Sequence, residues 1–264
     1  RILKSIKNKE KIGIFGDYDV DGASSTALLG NYFRNINQEF EIYIPDRKSE
    51  GYGPSKIGFQ KLLDKNVNLI ITVDCGTMSY EPIDFALNKK VDVIVLDHHQ
   101  SELSLPNAFS IINPNRFDDS SDLNHLCAAG VCFMTLISLN SSLRKINWFT
   151  ENNLTEPNLL EYLDLVSLGT ICDVVPLIGL NRAFVKQGLK VVNQRKNLGL
   201  KTLIDVCKIN NQASTYHLGY IIGPRINAGG RVGKCSHGAQ LLINKSPKES
   251  FKLANELEYF NSER

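Results

Sequence analysis

Short apolar runs alternate with amphipathic segments along the first half of the chain. Five runs rich in Val, Ile and Phe predict β-strands, at residues 11–15, 40–45, 68–73, 91–96 and 108–113. Apolar residues at helical spacing predict helices between these strands, near 23–36, 55–65 and 80–90. Strands that are apolar almost throughout are typical of a parallel sheet with helices on both faces. The pattern therefore predicts an α/β fold with a mostly parallel, twisted sheet.

The second half of the chain loses the strand pattern and becomes mainly helical. After the polar stretch 113–124, the apolar spacing predicts four helices, near 127–140, 157–171, 180–193 and 199–207. The glycine-rich stretch 223–234 predicts a loop or turn that opens into another helix. From Pro247 onward the sequence is amphipathic, which predicts the start of a longer connecting helix over 246–264.

The composition is that of an ordinary globular protein of 264 residues, with 42% hydrophobic and 22% charged residues. No apolar run approaches the roughly 18–20 residues that a membrane span requires, and the first residues lack the apolar centre of a signal peptide. The six cysteines form no CxxC pair, so we expect reduced thiols. Together these features predict part of a longer cytoplasmic chain without a membrane partner.

Charge is distributed unevenly, although the net charge is only +2. The segment 182–234 contains ten Lys or Arg residues and one acid, Asp205, whereas the rest of the chain is net acidic. Such a division indicates carboxylates that hold cations beside a surface that holds an anion. For any single Lys, a solvated helix face remains the alternative.

Acidic residues follow three of the predicted strands. They are Asp17, Asp19 and Asp21 after the first strand, Asp74 after the third, and Asp97 with His98 and His99 after the fourth. Parallel pairing brings these strand ends to one edge of the sheet, where carboxylates repel one another unless cations neutralise them. Each acid alone is more typical of a helix cap or turn, but their coincidence on three strands favours a metal site.

The metal that this pattern favours is Mn²⁺ or Mg²⁺. A mixed Asp and His set suits these ions better than Zn²⁺, which favours Cys and His, or Ca²⁺, which prefers oxygen alone. The heptapeptide GDYDVDG (16–22) begins like an EF-hand calcium loop. However, the twelfth position counted from Asp17 is Leu28, which cannot bind calcium, so the EF-hand is excluded.

The motifs DYDVDG, VDCG and DHH resemble, in this order, those of the DHH phosphoesterase superfamily. Four further blocks resemble its RecJ branch of single-strand-specific 5′→3′ DNA exonucleases: IPDRKSEGYG (44–53), LGTICDVVPL (168–177), NRAFVKQGL (181–189) and GPRINAGGR (223–231). The resemblance implies a DHH catalytic domain over 1–245. This domain would comprise a sheet half (1–115) and a mainly helical half (116–245) with a basic phosphate-binding loop, and 246–264 would lead to a second domain.

The resemblance also implies a centre of two divalent cations, usually Mn²⁺. The implied ligands are Asp19 at one ion, with Asp17 beside it as a ligand or a support, Asp21, His98 and Asp173 at the other, and Asp74 bridging both. Asp97 is expected to orient a histidine, and His99 to face the substrate phosphate. His99 would donate a hydrogen bond to a phosphoryl oxygen or protonate the leaving oxygen, and the residues leave both roles open.

Basic residues outside the metal motifs are candidates for contact with the nucleic-acid backbone. The resemblance places the block GPRINAGGR close to the cleavage site, where Arg225, Asn227 and Arg231 would contact phosphates. Arg47 is the candidate for the 5′-terminal phosphate. The alternative for Arg47 is a surface ion pair with Asp46 or Glu50.

The resemblance, together with these features, implies a two-metal nuclease that removes nucleotides from the 5′ end of single-stranded DNA, in DNA repair and recombination. Two cations lower the pKa of a shared water and stabilise charge during in-line attack on the phosphate, so no side-chain nucleophile is required. One alternative is a related phosphodiesterase of short oligonucleotides or cyclic dinucleotides. Another is a catalytically weak nucleic-acid-binding module.

Overall fold

The computed structural model describes residues 1–232 and 234–263, so Gly233 and Arg264 lie outside the described residues. The elements of the first half are α1 (Ile2–Lys7), β1 (Ile12–Gly16), α2 (Val20–Asn35), β2 (Phe40–Tyr43), α3 (Lys56–Leu63), β3 (Leu69–Val73), α4 (Tyr80–Asn88), β4 (Asp92–Leu96) and β5 (Ser110–Ile112). Those of the second half are α5 (Ala128–Lys145), α6 (Trp148–Glu151), a 3-10 turn (Leu159–Tyr162), α7 (Leu163–Cys172), α8 (Gly179–Gln194), α9 (Leu198–Val206), a π-helical segment (His217–Ile222), α10 (Gly223–Arg231), α11 (His237–Ile243) and α12 (Pro247–Ser262).

The five strands form one sheet in the order β2-β1-β3-β4-β5, and every neighbouring pair is parallel. This confirms the predicted α/β fold. The chain leaves β1 in one direction to β2 and returns to the other side of β1 for β3, so the order reverses between β1 and β3. Sheets of this type bind ligands beyond the carboxyl ends of the strands at that point.

The strand register aligns the carboxyl ends of four strands. Gly16 pairs with Val73, Val73 with Leu96, and Leu96 with Ile112, so these four residues form one transverse row. The next residues along the chain are Asp17, Asp74, Asp97 and Asn113. The backbone ladder therefore sets four polar side chains side by side along one edge of the sheet.

Helices cover both faces of the sheet and enclose two cores. On one face, α2 packs against α5 and α7, and the core combines Ile14 and Leu28 with Val131, Leu165 and Leu241. On the other face, α3 and α4 enclose a smaller core that includes Phe15, Phe59, Ile70 and Val95. Because the larger core draws side chains from both sequence halves, the boundary predicted near residue 115 does not divide two separate cores.

The stretch 223–234 was predicted to be a loop or turn, and for the described residues up to Arg231 this prediction is wrong. The π-helical segment runs directly into α10, with Pro224 in the first turn of α10. The glycines serve close packing instead. A Cβ atom at Gly223 would lie 2.7 Å from Cys172 Sγ, and one at Gly230 would lie 2.6 Å from Cδ2 of Tyr18. The predicted basic phosphate-binding loop is therefore a helix that lies tightly against its neighbours.

Two further features of the fold concern the cysteines and the hydropathy of the helices. All six cysteines are free, and four of them are buried. Burial raises the pKa of the Cys75 and Cys127 thiols well above their ordinary value. Within residues 1–232 and 234–263, none of the helices has the length and apolarity that crossing a bilayer would require.

Candidate metal centre

Asp17, Asp74 and Asp97 form the base of the candidate metal centre. Each follows the transverse row directly, and none is more than 3% exposed. The backbone N–H of Asp74 donates to the carbonyl oxygen of Leu96 at 3.0 Å, while its φ of 61° lies in the left-handed region. This conformation is uncommon for a residue other than glycine, so the surrounding structure holds Asp74 in place against a local cost.

Two helix N-termini hold the remaining aspartates of the first motif. Asp19 is the N-cap of α2, and its Oδ1 accepts a hydrogen bond from the Gly22 N–H at 2.9 Å. Asp21 lies in the first turn of α2, and its two oxygens accept hydrogen bonds from the Ala128 and Ala129 N–H groups at 2.6 and 3.0 Å. The N-terminus of α5 therefore directs its positive end at the Asp21 carboxylate.

Asp173 joins the centre from the helical half of the chain. It is the C-cap residue of α7, and Val174 follows at a φ of 59°, which is an outlier for a β-branched side chain. His98 Nε2 lies 3.3 Å from Asp74 Oδ1, 3.6 Å from Asp173 Oδ2 and 3.8 Å from Asp21 Oδ2. The fold thus brings all six residues of the implied ligand set to one place.

The potential ligand atoms form overlapping groups. The groups are Asp17, Asp19 and Asp74; Asp21, His98 and Asp173; and Asp74, His98 and His99. Within each group, one ligand-type atom per residue lies within 4.8 Å of the others. Asp74 belongs to the first and the last of these groups, and its Oδ1 lies 3.3 Å from Nε2 of His98, which is also a member of the group with Asp21 and Asp173. This is the arrangement that two neighbouring ions with a shared carboxylate require.

The carboxylates of the centre are destabilised as long as no cation compensates them. Burial, reinforced by the charge of Asp19, raises the pKa of Asp17 to about 7. Burial and the neighbouring Asp173 raise the pKa of Asp21 to about 8, and burial raises that of Asp173 to about 6. The pKa of Asp74 is raised well above its ordinary value by burial and by the acids around it.

Unpartnered ligand atoms point to the same conclusion. Asp74 Oδ2, Asp173 Oδ2 and His98 Nε2 are buried and have no hydrogen-bond partner in the described part of the chain. Burial and the neighbouring His99 lower the pKa of His98 to about 4, so its ring is neutral, as a metal ligand must be. A set of carboxylates with an imidazole and no thiolate suits Mn²⁺ or Mg²⁺. The residues therefore fit two divalent cations.

A hydrogen-bond network positions His99 at the rim of the centre. Asp97 Oδ1 accepts from His99 Nδ1 at 2.7 Å, and Asp97 Oδ2 accepts from the N–H and hydroxyl of Thr77 at 3.0 and 2.6 Å. The bond to Asp97 raises the pKa of His99. Burial alone would raise the pKa of Asp97, but the bonds from His99 and Thr77 outweigh it and hold this pKa below its ordinary value. The network favours a charged imidazolium whose side chain is 47% exposed.

Arg47 has no acidic partner among the described residues. Its guanidinium carbon lies 5.2 Å from the centroid of the Tyr18 ring. Asp46 accepts hydrogen bonds from the backbone of its own loop, and Glu50 pairs with Lys61. The surface ion pair that was the alternative for Arg47 is therefore not formed, and the guanidinium charge remains available to a ligand.

The three candidates on α10 differ in their surroundings. Arg225 pairs with Glu258 of α12 and donates to the Ile221 carbonyl oxygen at 2.7 Å, so its guanidinium is engaged within the fold. Arg231 is exposed, and no ion pair involves it within residues 1–232 and 234–263. Asn227 has a buried Oδ1 atom without a partner in the same ranges. A phosphate contact by Arg225 stays a prediction, and it competes with the bond to Glu258.

The sequence that carries this arrangement matches a known protein family. Residues 11–170 match the model described as "DHH family, N-terminal domain". The match covers more than half of the chain and includes every candidate ligand except Asp173. The chain belongs to the DHH family.

Within the DHH family, this chain is similar to proteins named RecJ. It is 38% identical over 266 residues to the single-stranded-DNA-specific exonuclease RecJ of Dickeya dadantii, covering 100% of this chain and 46% of that relative. A crystal structure of exonuclease RecJ bound to manganese is 31% identical, with a TM-score of 0.85 over 99% of this chain and 64% of that one. RecJ of Thermus thermophilus in complex with Mn²⁺ is 29% identical, with a TM-score of 0.81 over 99% of this chain and 36% of that one. This chain thus spans about half the length of the Dickeya relative.

Three residues of this DHH domain complete the network although no sequence motif assigned them a role in it. Thr77 holds Asp97 through two hydrogen bonds, and Asn113 donates to Thr77 Oγ1 and to the His99 carbonyl oxygen, both at 2.8 Å. The Tyr52 hydroxyl lies 3.4 Å from both His99 Nε2 and the Asp74 carbonyl oxygen. Asn113 directly follows β5, a position that places it at the same sheet edge as the site, whereas the position of Thr77 in the sequence gives no such signal.

Proposed function

We propose that this protein hydrolyses phosphodiester bonds of single-stranded DNA with two divalent cations, Mn²⁺ or Mg²⁺, and releases nucleotides from the 5′ end. The observation that carries the proposal is the set of buried, unpartnered ligand atoms around Asp74. Relatives named single-stranded-DNA-specific exonucleases support the substrate. Solved structures of RecJ with Mn²⁺ and with Mg²⁺ support the choice of ions.

In the proposed reaction the residues of the centre have separate tasks. The ligands would be Asp17 and Asp19 at one ion, Asp21, His98 and Asp173 at the other, and Asp74 between them. Two divalent cations, when bound, supply a water of lowered pKa and neutralise charge that develops on the phosphoryl oxygens. Asp97 holds His99 at the open side of the centre, where its imidazolium donates a hydrogen bond or a proton to an oxygen of the substrate phosphate.

The contacts with DNA are proposed on both sides of the metal centre. Arg47, which has no acidic partner in the described chain, would bind the 5′-terminal phosphate. Arg231 and Asn227 on α10 would contact the backbone next to the cleavage site. Arg225 would support them by fixing α10 to α12 through Glu258, and it could bind phosphate only by exchanging that partner. The high density of basic residues in 182–234 supports contacts between α10 and the DNA backbone.

The proposed activity would serve DNA repair and recombination in the cytoplasm, and α12 would lead to a further domain that strengthens the grip on DNA. The length of the relatives supports the further domain, since this chain matches 46% of the Dickeya protein. Free thiols agree with a reducing compartment. On this proposal, residues 1–264 bind Mn²⁺ but degrade DNA less processively than the full-length protein. Equal processivity would contradict it.

A digestion series tests the proposed function. Labelled long single strands, duplexes, dinucleotides and cyclic dinucleotides are incubated with the full-length protein and Mn²⁺, and products are resolved by length. We expect mononucleotides to appear first from the 5′ end of single strands. Exclusive turnover of dinucleotides would favour the related phosphodiesterase, and binding without turnover would favour the nucleic-acid-binding module. Cleavage that persists unchanged in Asp74→Ala would show that the assigned centre is wrong.

A further inference from the structure

Tyr18 lies between two candidate ligands and carries Arg47 on its ring. The Arg47 guanidinium carbon is 5.2 Å from the ring centroid, within the range of a cation–π contact. The Tyr18 N–H donates to Asp17 Oδ1 at 2.8 Å, which ties the Tyr18 backbone to the turn that presents the metal ligands. Through this ring, the loop after β2 is connected to the metal centre.

Helix α10 supports the Tyr18 ring. A Cβ atom at Gly230 would lie 2.6 Å from Cδ2 and 3.2 Å from Cγ of Tyr18, so the ring packs directly on the helix backbone. Only glycine leaves this space, since any larger residue would push the ring away. The ring is therefore confined by its own backbone turn and by α10.

Cys235 joins the Arg47 loop to the same helix end. Its Sγ accepts from the Arg47 N–H at 3.4 Å and donates to the Gly230 carbonyl oxygen at 3.7 Å. The thiol is buried, at 5% exposure. Both the backbone and the side chain of Arg47 are thus anchored to the Tyr18–Gly230 contact.

An aromatic support differs from a carboxylate in what it leaves free. An acidic partner would hold the guanidinium but would also neutralise it and occupy its N–H groups. The face of a tyrosine ring attracts the cation and leaves the N–H groups at the guanidinium edge open to a phosphate. Holding a flexible arginine in one orientation before binding also lowers the entropic cost of binding.

We propose that Tyr18 is a positioning residue that holds the Arg47 guanidinium ready for the terminal phosphate of the DNA strand. The inference rests on the proposed function, in which Arg47 binds that phosphate. Tyr18 itself does not contact the reacting atoms. It determines how strongly the protein distinguishes a phosphorylated 5′ end from a hydroxyl end.

The test measures this preference in the full-length protein loaded with Mn²⁺. One single-stranded oligonucleotide is offered with a 5′-phosphate or a 5′-hydroxyl, and the ratio of the two kcat/KM values is determined. Tyr18→Leu should lower the ratio by about 2- to 30-fold, mainly through KM, as expected for loss of a cation–π contact. Tyr18→Phe keeps the ring and should retain the ratio. In an Arg47→Ala background, Tyr18→Leu should lower it no further.

A second variant and the control outcomes make the result decisive. Gly230→Ala crowds the ring from the helix side and should also lower the ratio, which provides an independent route if Tyr18→Leu fails to fold. The inference is overturned if Tyr18→Leu keeps the ratio, or if both substrates slow equally while Mn²⁺ binding weakens. If Arg47→Ala itself leaves the ratio unchanged, the terminal-phosphate contact in the proposed function fails, and the role of Tyr18 fails with it.

Discussion

Single residues of the metal centre lie where burial and mutual repulsion oppose their charges. Asp74 shows this most clearly, because it is 2% exposed, lies near three further acids and has an Oδ2 atom without a partner among the described residues. A protein keeps such a group only when something compensates it. The candidate ligands therefore lower the stability of the metal-free fold and raise the stability of the fold once cations bind.

Replacing Asp74 by Asn tests whether this residue is the ligand shared by the two proposed ions. We expect cleavage to fall by more than about 100-fold, beyond the loss typical of residues that only support ligands. Mn²⁺ should lose most of its stabilising effect, whereas the metal-free variant should unfold no more easily than the parent. Thermal melting over a Mn²⁺ titration and a nuclease assay measure both effects.

Asp164→Asn is the matched control for Asp74→Asn. Asp164 of α7 is also a buried aspartate, and burial raises its pKa to about 7, but it lies outside the candidate ligand groups. This variant should bind Mn²⁺ like the parent. An Asp74→Asn protein that Mn²⁺ stabilises as much as the parent would contradict the assignment.

The stability of the metal-free protein should depend on pH with a defined sign. Burial raises the folded-state pKa of Asp17 to about 7 and that of Asp21 to about 8, against about 3.9 for an unfolded aspartate. Between these limits the folded state binds more protons than the unfolded state, so the free energy of unfolding falls as pH rises. His98, whose pKa is lowered to about 4, opposes this trend only below about pH 6.5, its ordinary value. The decline should therefore be clearest from about pH 6.5 to 8.

Chemical denaturation at several pH values, with EDTA or with saturating Mn²⁺, measures this dependence. Cations take the place of the protons, so Mn²⁺ should remove the decline. A metal-free protein whose free energy of unfolding stays flat or rises over the same range would show that these carboxylates are not held near one another.

At the scale of elements, α7 approaches the Asp21 carboxylate so closely that Gly169 has no room for a side chain. A Cβ atom at Gly169 of α7 would lie 2.4 Å from Asp21 Oδ1 and 2.8 Å from Ala129 Cβ. We expect Gly169→Ala to cost about 1–3 kcal/mol in the free energy of unfolding through overpacking. It should also weaken Mn²⁺ binding, because Asp21 must move. Denaturation and a calorimetric Mn²⁺ titration measure the two effects.

Gly130→Ala on α5 provides the comparison for Gly169→Ala. The atoms nearest to a Cβ atom at Gly130 belong to the Leu126 side chain, at 3.2 Å or more, and that side chain can adjust. Its effect on stability should stay within about 1 kcal/mol, with unchanged Mn²⁺ affinity. Equal losses at the two glycines would argue against a specific role of the α7 contact.

The predictability of the elements follows from which forces decide them. All five strands were predicted within a few residues, because buried parallel strands impose continuous apolar runs. The helix over Gly223–Arg231 was not predicted, because its glycines usually indicate a turn. In the structure these glycines are required by close contacts with Cys172 and Tyr18, which the local sequence does not reveal. The short helices α1 and α6 also escaped prediction, since four to six residues show no clear periodicity.

The candidate site was predictable to the extent that strand ends reveal it. The aspartates after β1, β3 and β4 follow from the rule that parallel strands direct their carboxyl ends to one edge. Asp173 lies at the end of a helix, where an acid has no distinctive pattern, and only the family resemblance indicated it. Thr77 acts through a tertiary hydrogen bond to Asp97 that no local pattern announces.

At the scale of the whole molecule, one core joins the sheet half to the helical half. Fourteen of the sixteen residues of α2 are buried, and α2 packs against both α5 and α7. A fragment of residues 1–115 would expose that face to water. We expect it to remain unfolded or to aggregate, whereas residues 1–264 should unfold in a single cooperative transition.

Circular dichroism during heating measures this difference between the fragment and residues 1–264. The metal centre also requires both halves of the chain, since Asp173 and the N-terminus of α5 come from the helical half. A fragment of residues 1–115 that melts cooperatively on its own would contradict the single core.

The transverse row of Gly16, Val73, Leu96 and Ile112 restricts where this molecule can open. Backbone ladders join its members, so the side chains beyond it cannot separate unless the sheet itself breaks. On the proposed function, entry of a strand and departure of a nucleotide would then depend on the loop around Arg47 and on helix α10, which ends at Arg231. Amide hydrogen exchange should be slow in the strands and faster in that loop. A polymer shortened stepwise would therefore move past strand ends that stay fixed, and only the loop around Arg47 and helix α10 would change position.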